Sequence, residues 1–150
     1  MTIPVVVLVA AAVIAGYTDL RTRRIPNWLT GAVALFGLSH HFVKSGGHGL
    51  WISLGGVALG AGLILLPMLI PYAKGGIGGG DVKFIAAVGS IVGAAGVFVV
   101  FIVAAGVGAI QCLIALWRQA ATGDRPVTVP YGVALSVGTL VVTVGSLLSR

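Results

Sequence analysis

Long apolar segments with few charged residues constrain this chain more than any other feature of its sequence. They run approximately over residues 3–18, 28–43, 50–72, 82–92, 95–117 and 129–148. Only 8% of the residues are charged, whereas an ordinary soluble domain has about 25%. The apolar residues are continuous and do not alternate with polar ones, which favours helices over the strands of a membrane barrel. The sequence therefore predicts an all-α, polytopic integral membrane protein with six transmembrane helices and short loops.

The division of residues 82–117 into helices leaves an alternative open. This stretch holds two spans only if one is short, because a spanning helix needs about 20 residues. Gly89, Gly93 and Gly96 mark positions where a tight turn could divide it. A single bent helix is the alternative, since glycine is also common inside transmembrane helices. We expect residues 1–150 to form one transmembrane domain.

The distribution of lysine and arginine predicts how the chain is oriented. These residues favour the cytoplasmic side of short loops. If the first loop is cytoplasmic, most of them lie inside, while Lys44 and Arg150 lie outside. The inside set is Arg21, Arg23, Arg24, Lys74, Lys83, Arg118 and Arg125. In a cell inner membrane, six spans then place both termini on the outer side. The net charge of +6 indicates contact with anionic lipid and not with nucleic acid.

Only three acidic residues occur in the chain, Asp19, Asp81 and Asp124. All three fall on the predicted cytoplasmic face. Asp19 follows the first apolar segment, and Asp81 follows a run rich in glycine, which lets another backbone approach closely. Asp124 follows a glycine and is interpreted as a turn residue. Two carboxylates on one face, each beside a short constrained loop, favour a chemical role for Asp19 and Asp81.

Each of these two aspartates also has a structural interpretation. Asp81 could cap the helix that follows it, a role that aspartate fills well. Asp19 could pair with the nearby arginines, although exposed pairs contribute only about 0–1 kcal/mol. Between them, Pro26 stops helix continuation and Asn27 is expected to cap the second helix.

Three motifs in order resemble those of the prepilin peptidases. Residues 19–27 read Asp-x-Arg-x-x-x-Ile-Pro-Asn, residues 78–83 read Gly-x-Gly-Asp-x-Lys, and residues 129–134 read Val-Pro-Tyr-Gly-Val-Ala. The third stretch is similar to the start of the last span in small members that serve Flp/Tad-type pili. The resemblance implies a GxGD-type aspartic endopeptidase that cleaves prepilin leader peptides at the cytoplasmic membrane face, with Asp19 and Asp81 catalytic. Larger members carry an N-methyltransferase region with paired Cys-x-x-Cys motifs, whereas this chain has only Cys112, so no N-methylation is expected.

The implied mechanism is general acid/base hydrolysis. One ionised carboxylate would activate the attacking water, and the other, protonated, would polarise the scissile carbonyl. The residues expected to contact substrate are Gly78, Gly79, Gly80, Lys83, Pro26 and Asn27.

The expected partners are a prepilin or pilin-like substrate and membrane lipids, and association between copies of the chain is left open. No cofactor and no metal are expected. His40, His41 and His48 lie in the predicted outer loop without a convincing further ligand.

A small membrane transporter or pilus-assembly factor, using the aspartates to bind ions or a partner, is the alternative function. Transport favours ionisable groups near the bilayer midplane and a repeated organisation of the two halves. The sequence shows neither feature.

Overall fold

The computed structural model describes residues 2–68, 79–122 and 129–148. These residues form four helices, α1 (Thr2–Thr22), α2 (Asn27–Met68), α3 (Gly79–Thr122) and α4 (Tyr131–Leu148). The all-helical prediction is confirmed for this part of the chain. All four helices are long and apolar enough to cross a membrane. By length and composition the structure offers four helices as candidate spans, not the six that the sequence predicts, and each of the two longest contains a kink at which two helical arms join.

The difference in number arises in the two longest helices. Helix α2 has 42 residues and is interrupted at Ser45 and Gly46, where φ of Gly46 is 55°. Helix α3 has 44 residues and is interrupted at Gly93, where φ is 73°. Glycine adopts such left-handed conformations without the steric cost that a Cβ imposes. The turns expected after residue 43 and within residues 82–117 are therefore kinks of one or two residues, at which two helical arms join without a longer loop.

The bend in α2 folds the helix back on itself. Gly49 packs so closely on His41 that a Cβ at Gly49 would overlap the His41 carbonyl group. In a straight helix, residues eight positions apart would be separated by about 12 Å. Helix α2 is thus a hairpin of two arms, residues 27–44 and 47–68.

Both arms of α2 pack against residues 79–92, the first arm of α3. The Ser53 hydroxyl donates a hydrogen bond to the Ser90 carbonyl oxygen at 2.6 Å, and the Ser90 hydroxyl approaches the Val33 carbonyl oxygen at 3.5 Å. Gly56 and Gly89 meet backbone to backbone, so that a Cβ on either would overlap the other's carbonyl group. Small residues allow this close approach, as is typical of helix pairs in membranes.

Helix α4 lies between α1 and the second arm of α3, residues 94–122. A Cβ on Gly138 would lie 2.6 Å from the Val100 carbonyl oxygen, and one on Gly16 would lie 3.3 Å from the Ser136 hydroxyl oxygen. The buried core joins all four helices, and large apolar side chains such as Trp117 remain exposed on the outside. This arrangement, with apolar residues on both the inside and the outside, is the one that a lipid environment favours.

Candidate active site

Asp19 lies in the last turn of α1, and its side chain is only 6% exposed. The helix ends at Thr22, because Arg23 adopts a left-handed conformation with φ of 51°. The Arg23 N–H still donates to the Asp19 carbonyl oxygen at 2.9 Å, which closes the final turn. Such a terminus fixes the direction in which the chain leaves the helix and holds Asp19 in a buried position.

The Asp19 carboxyl group packs against the beginning of α4. A Cβ on Gly132 would lie 2.8 Å from both Cγ and Oδ2 of Asp19, so only glycine fits here without movement. The backbone N–H groups of Gly132 and Val133 lie beside this carboxyl group, at a helix N-terminus, where N–H groups have no partner within the helix. Oδ2 of Asp19 is buried and has no hydrogen-bond partner within the described residues. An unsatisfied buried oxygen is unusual in a folded protein and is a feature of functional sites.

Asp81 lies in the first turn of α3 and is 7% exposed. The partial positive charge of the helix N-terminus favours a carboxylate at this position. Gly80, just before it, packs on the buried Ile25, since a Cβ at Gly80 would lie 3.4 Å from the Ile25 Cβ and backbone nitrogen. The loop between α1 and α2 therefore lies directly beside the start of α3.

The start of α4 lies at the same end of the bundle as the two aspartates. The ring of Tyr131, its first residue, packs over Gly108, where a Cβ would lie 2.8 Å from the ring atom Cε2. The next residue, Gly132, contacts Asp19, and Gly80, beside Asp81, packs on Ile25 in the loop that follows Asp19. Both carboxyl groups therefore lie at one end of the bundle.

The residues predicted to contact substrate have different surroundings. The exposed Lys83 donates a hydrogen bond from Nζ to Oδ1 of Asn27 at 3.1 Å. The Pro26 carbonyl accepts from the N–H groups of Leu29 at 3.1 Å and Thr30 at 3.4 Å. The prediction that Asn27 caps α2 is therefore wrong, because the Pro26 carbonyl accepts these first-turn bonds while the Asn27 side chain binds Lys83.

The remaining predicted contacts lie in the glycine run. Gly79 is exposed, with open space where a side chain would stand. Gly80 packs on Ile25 as described above. Gly78 and Asp124 lie outside the described residues.

A groove of about 330 Å³ opens beside the pair formed by Lys83 and Asn27. Its walls come from both arms of α2 and from the first arm of α3. Small side chains dominate the lining, as at Gly31, Ala34 and Ala87.

The sequence-based reasoning gave no role to Tyr131, Gly132 or Val133. The motif at residues 129–134 had been recognised, but only as the start of a span. A glycine directly after Pro-Tyr at a helix start was the available signal, because it indicates close approach of another group. Within residues 2–68, 79–122 and 129–148, no group of three or more His, Cys, Asp or Glu side chains is arranged to hold a metal ion.

Comparison with known proteins identifies the family. The model of the type IV leader peptidase family matches residues 6–113, a range that contains both aspartates. This chain belongs to the type IV leader peptidase family. No curated protein and no solved structure matches the chain.

Membership of the type IV leader peptidase family makes the chain a prepilin-type leader peptidase and a protease, and its apolar helices agree with a membrane protein. The match ends before α4. The contact between Asp19 and Gly132 is therefore an observation of this structure alone.

Proposed function

We propose that this family member is a membrane-embedded aspartic endopeptidase that removes the leader peptide of Flp/Tad-type prepilins, with Asp19 and Asp81 as its catalytic pair. The observation that carries the proposal is the packing of Gly80, next to Asp81, on Ile25 in the loop that follows Asp19. Both carboxyl groups are buried at one end of the bundle in a chain that has only three acidic residues.

The proposed chemistry is hydrolysis of one peptide bond by water. The ionised carboxylate accepts a proton as water attacks the scissile carbonyl carbon, and the protonated carboxyl group donates a hydrogen bond to the carbonyl oxygen. The C–N bond then breaks as a proton passes to the leaving amine. Two like charges held close favour sharing of one proton by the pair. The buried Oδ2 of Asp19 without a partner in the described residues supports participation of this carboxyl group.

Substrate binding is proposed along the loops that flank the two aspartates. The glycines at positions 78–80 would let an extended leader peptide approach the backbone closely. Pro26, Asn27 and Lys83 would line the adjoining side, and the neighbouring groove, which Asn27 and Lys83 also line, would take the apolar segment of the prepilin. Membrane lipids would cover the exposed apolar outer surface.

The proposed orientation sets the aspartates at the cytoplasmic face of the cell inner membrane. Arg21, Arg23, Arg24 and Lys83 all lie near the end that holds the aspartates, whereas Lys44 lies at the bend of α2. An excess of lysine and arginine at one end is typical of the cytoplasmic side. Both termini would then lie outside.

Co-expression with a Flp-type prepilin tests the proposed function. The wild-type chain is compared with Asp19→Asn and Asp81→Asn, and Asp124→Asn is the matched control because it removes the third acidic charge. We expect leader removal, followed by the mass of the pilin, to be lost in the first two variants and retained in the control, with equal amounts of all chains in the membrane.

Two outcomes of this experiment would contradict the proposal. Undiminished cleavage by Asp19→Asn or Asp81→Asn would exclude a mechanism that needs both carboxyl groups. A mature pilin whose N-terminal amine carries an added methyl group, in cells whose only prepilin peptidase is this chain, would refute cleavage without N-methylation.

A further inference from the structure

A second pocket, of about 340 Å³, lies far from the two aspartates. It is formed where the start of α1, the bends of α2 and α3 and the end of α4 meet, and Pro4, Lys44, Val92 and Ser146 are among its lining residues. Pro4 precedes Asp19 on α1 by a helical length of about 22 Å. The pocket therefore belongs to the opposite end of the bundle and takes no part in the proposed hydrolysis.

The polar lining of this pocket is basic. Lys44, His40 and His41 line it, Lys44 with a positive charge and the imidazole rings with N–H groups that can donate hydrogen bonds. Thr143 and Ser146 line the same space, where their hydroxyl groups donate to the Thr139 and Thr143 carbonyl oxygens at 2.7 Å. No acidic residue lines it within the described part of the chain, because Asp19 and Asp81 lie at the other end. Ammonium and imidazole N–H groups around one cavity are donors that suit a phosphate group.

The two histidines are held in place before any ligand binds. Nε2 of His41 lies 3.0 Å from the Ile91 carbonyl oxygen, which ties α2 to α3 beside their bends. The His40 ring stacks on Phe36, with centroids 5.8 Å apart and an angle of 14° between the planes. Fixed side chains lose little conformational entropy on binding, and a site of this kind is preorganised for its ligand.

The remaining walls of the pocket are apolar. Val5 and Leu8 of α1, Val92 of α3 and Val142 of α4 contribute them. A free phosphate ion would leave these walls in contact with water, whereas the acyl chain of a lipid would cover them. Covering these walls removes apolar surface from water, which favours a phosphate that is attached to a hydrocarbon chain.

We propose that this pocket binds the phosphate group of an anionic phospholipid from the leaflet opposite the aspartates. Lys44 and His40 donate to the phosphate oxygens, and the acyl chain lies along the valine and leucine side chains. A lipid bound here contacts all four helices at once and stabilises the two bends against each other. This site is independent of the proposed peptidase function.

Lipid binding by the purified full chain in detergent tests the proposal. Phosphatidylglycerol, phosphatidylcholine and inorganic phosphate are titrated separately, with bound lipid counted by native mass spectrometry and thermal unfolding followed by circular dichroism. The test variant combines Lys44→Gln with His40→Gln and leaves the His41 contact to Ile91 intact. The matched control is Arg24→Gln, which removes an exposed positive charge at the other end of the bundle.

We expect one phosphatidylglycerol to bind the wild-type chain and the control with equal affinity and to raise the unfolding temperature. In the double variant the affinity falls roughly tenfold or more, as expected when hydrogen bonds to a charged group are lost. If the double variant shows reduced helicity without lipid, Lys44→Gln alone, at an exposed position, decides the question with a loss of about threefold.

Three results would overturn the proposal. Equal phosphatidylglycerol affinity in the wild-type chain and the variants would exclude Lys44 and His40 as ligands. Equal binding of phosphatidylcholine would exclude a site selective for an anionic lipid. Stabilisation by inorganic phosphate as large as that by phosphatidylglycerol would retain the phosphate chemistry and exclude the lipid as its source.

Discussion

Replacing Gly132 by alanine would push a methyl group into the Asp19 carboxyl group. The added Cβ would lie 2.8 Å from Cγ and Oδ2 of Asp19 and 3.0 Å from its Cβ. Since all three atoms belong to a short, buried side chain, the carboxyl group or the start of α4 must move. Overpacking of this kind costs about 1–3 kcal/mol, which a folded bundle of this size tolerates.

The cost for catalysis is expected to exceed the cost for stability. Movement of Asp19 separates its carboxylate from the N–H groups of Gly132 and Val133. A displacement of about 1 Å in a catalytic group lowers the rate roughly 100-fold. We therefore expect Gly132→Ala to lower kcat/KM for prepilin cleavage by about two orders of magnitude while the chain stays folded.

The assay measures initial rates of leader cleavage with purified enzyme and prepilin in detergent, beside the helical content of each variant. Gly145→Ala is the matched control, because it makes the same change in α4 at a position with nothing within 4 Å of the added methyl group. Cleavage by Gly132→Ala within threefold of the rate of Gly145→Ala would refute the reasoning, as would loss of helical structure in Gly132→Ala.

Two further predictions concern helix packing and substrate binding. Gly56→Ala should lower the unfolding temperature strongly, because the added methyl group overlaps the Gly89 carbonyl group. Gly55→Ala is the control and should leave the unfolding temperature unchanged, because nothing lies within 4 Å of the added methyl group. Equal unfolding temperatures of the two variants would contradict the close contact between α2 and α3. Lys83→Gln should raise KM for prepilin without lowering kcat, since a contact made equally in the ground state and the transition state affects binding alone. Loss of the exposed hydrogen bond to Asn27 should lower the free energy of unfolding by no more than about 1 kcal/mol. An unchanged KM would exclude Lys83 from the substrate site.

The fold was predictable in class but not in its count of helices. Continuous apolar segments specify helices because backbone groups in lipid must be paired within the segment. The same segments do not show how the chain turns between them. Gly93 is one of the three glycines that the sequence marks as positions for a turn, and its positive φ bends α3 there. Hydropathy alone does not distinguish it from Gly89 and Gly96, because both flanks are apolar.

The positions of Asp19 and Asp81 at helix ends were predictable, but the surroundings of these two aspartates were not. Scarce carboxylates next to helix ends are visible in the sequence, and both proved to be buried. The contact of Asp19 with Gly132 joins two helices that are more than 100 residues apart in the chain, so no local pattern predicts it. Asn27 was given the capping role that its residue type favours, whereas the tertiary contact with Lys83 determines its actual partner.

The most direct test of the proposed catalytic pair is the cleavage rate of the double variant Asp19→Asn/Asp81→Asn beside its two parents. Residues that act as one unit give strongly non-additive losses. We predict that each single variant lowers kcat by about 1,000-fold or more and that the double variant is no slower than the slower parent. A single variant that retains a tenth or more of the wild-type rate, or losses that multiply in the double variant, would contradict the claim that the two carboxyl groups work as a pair.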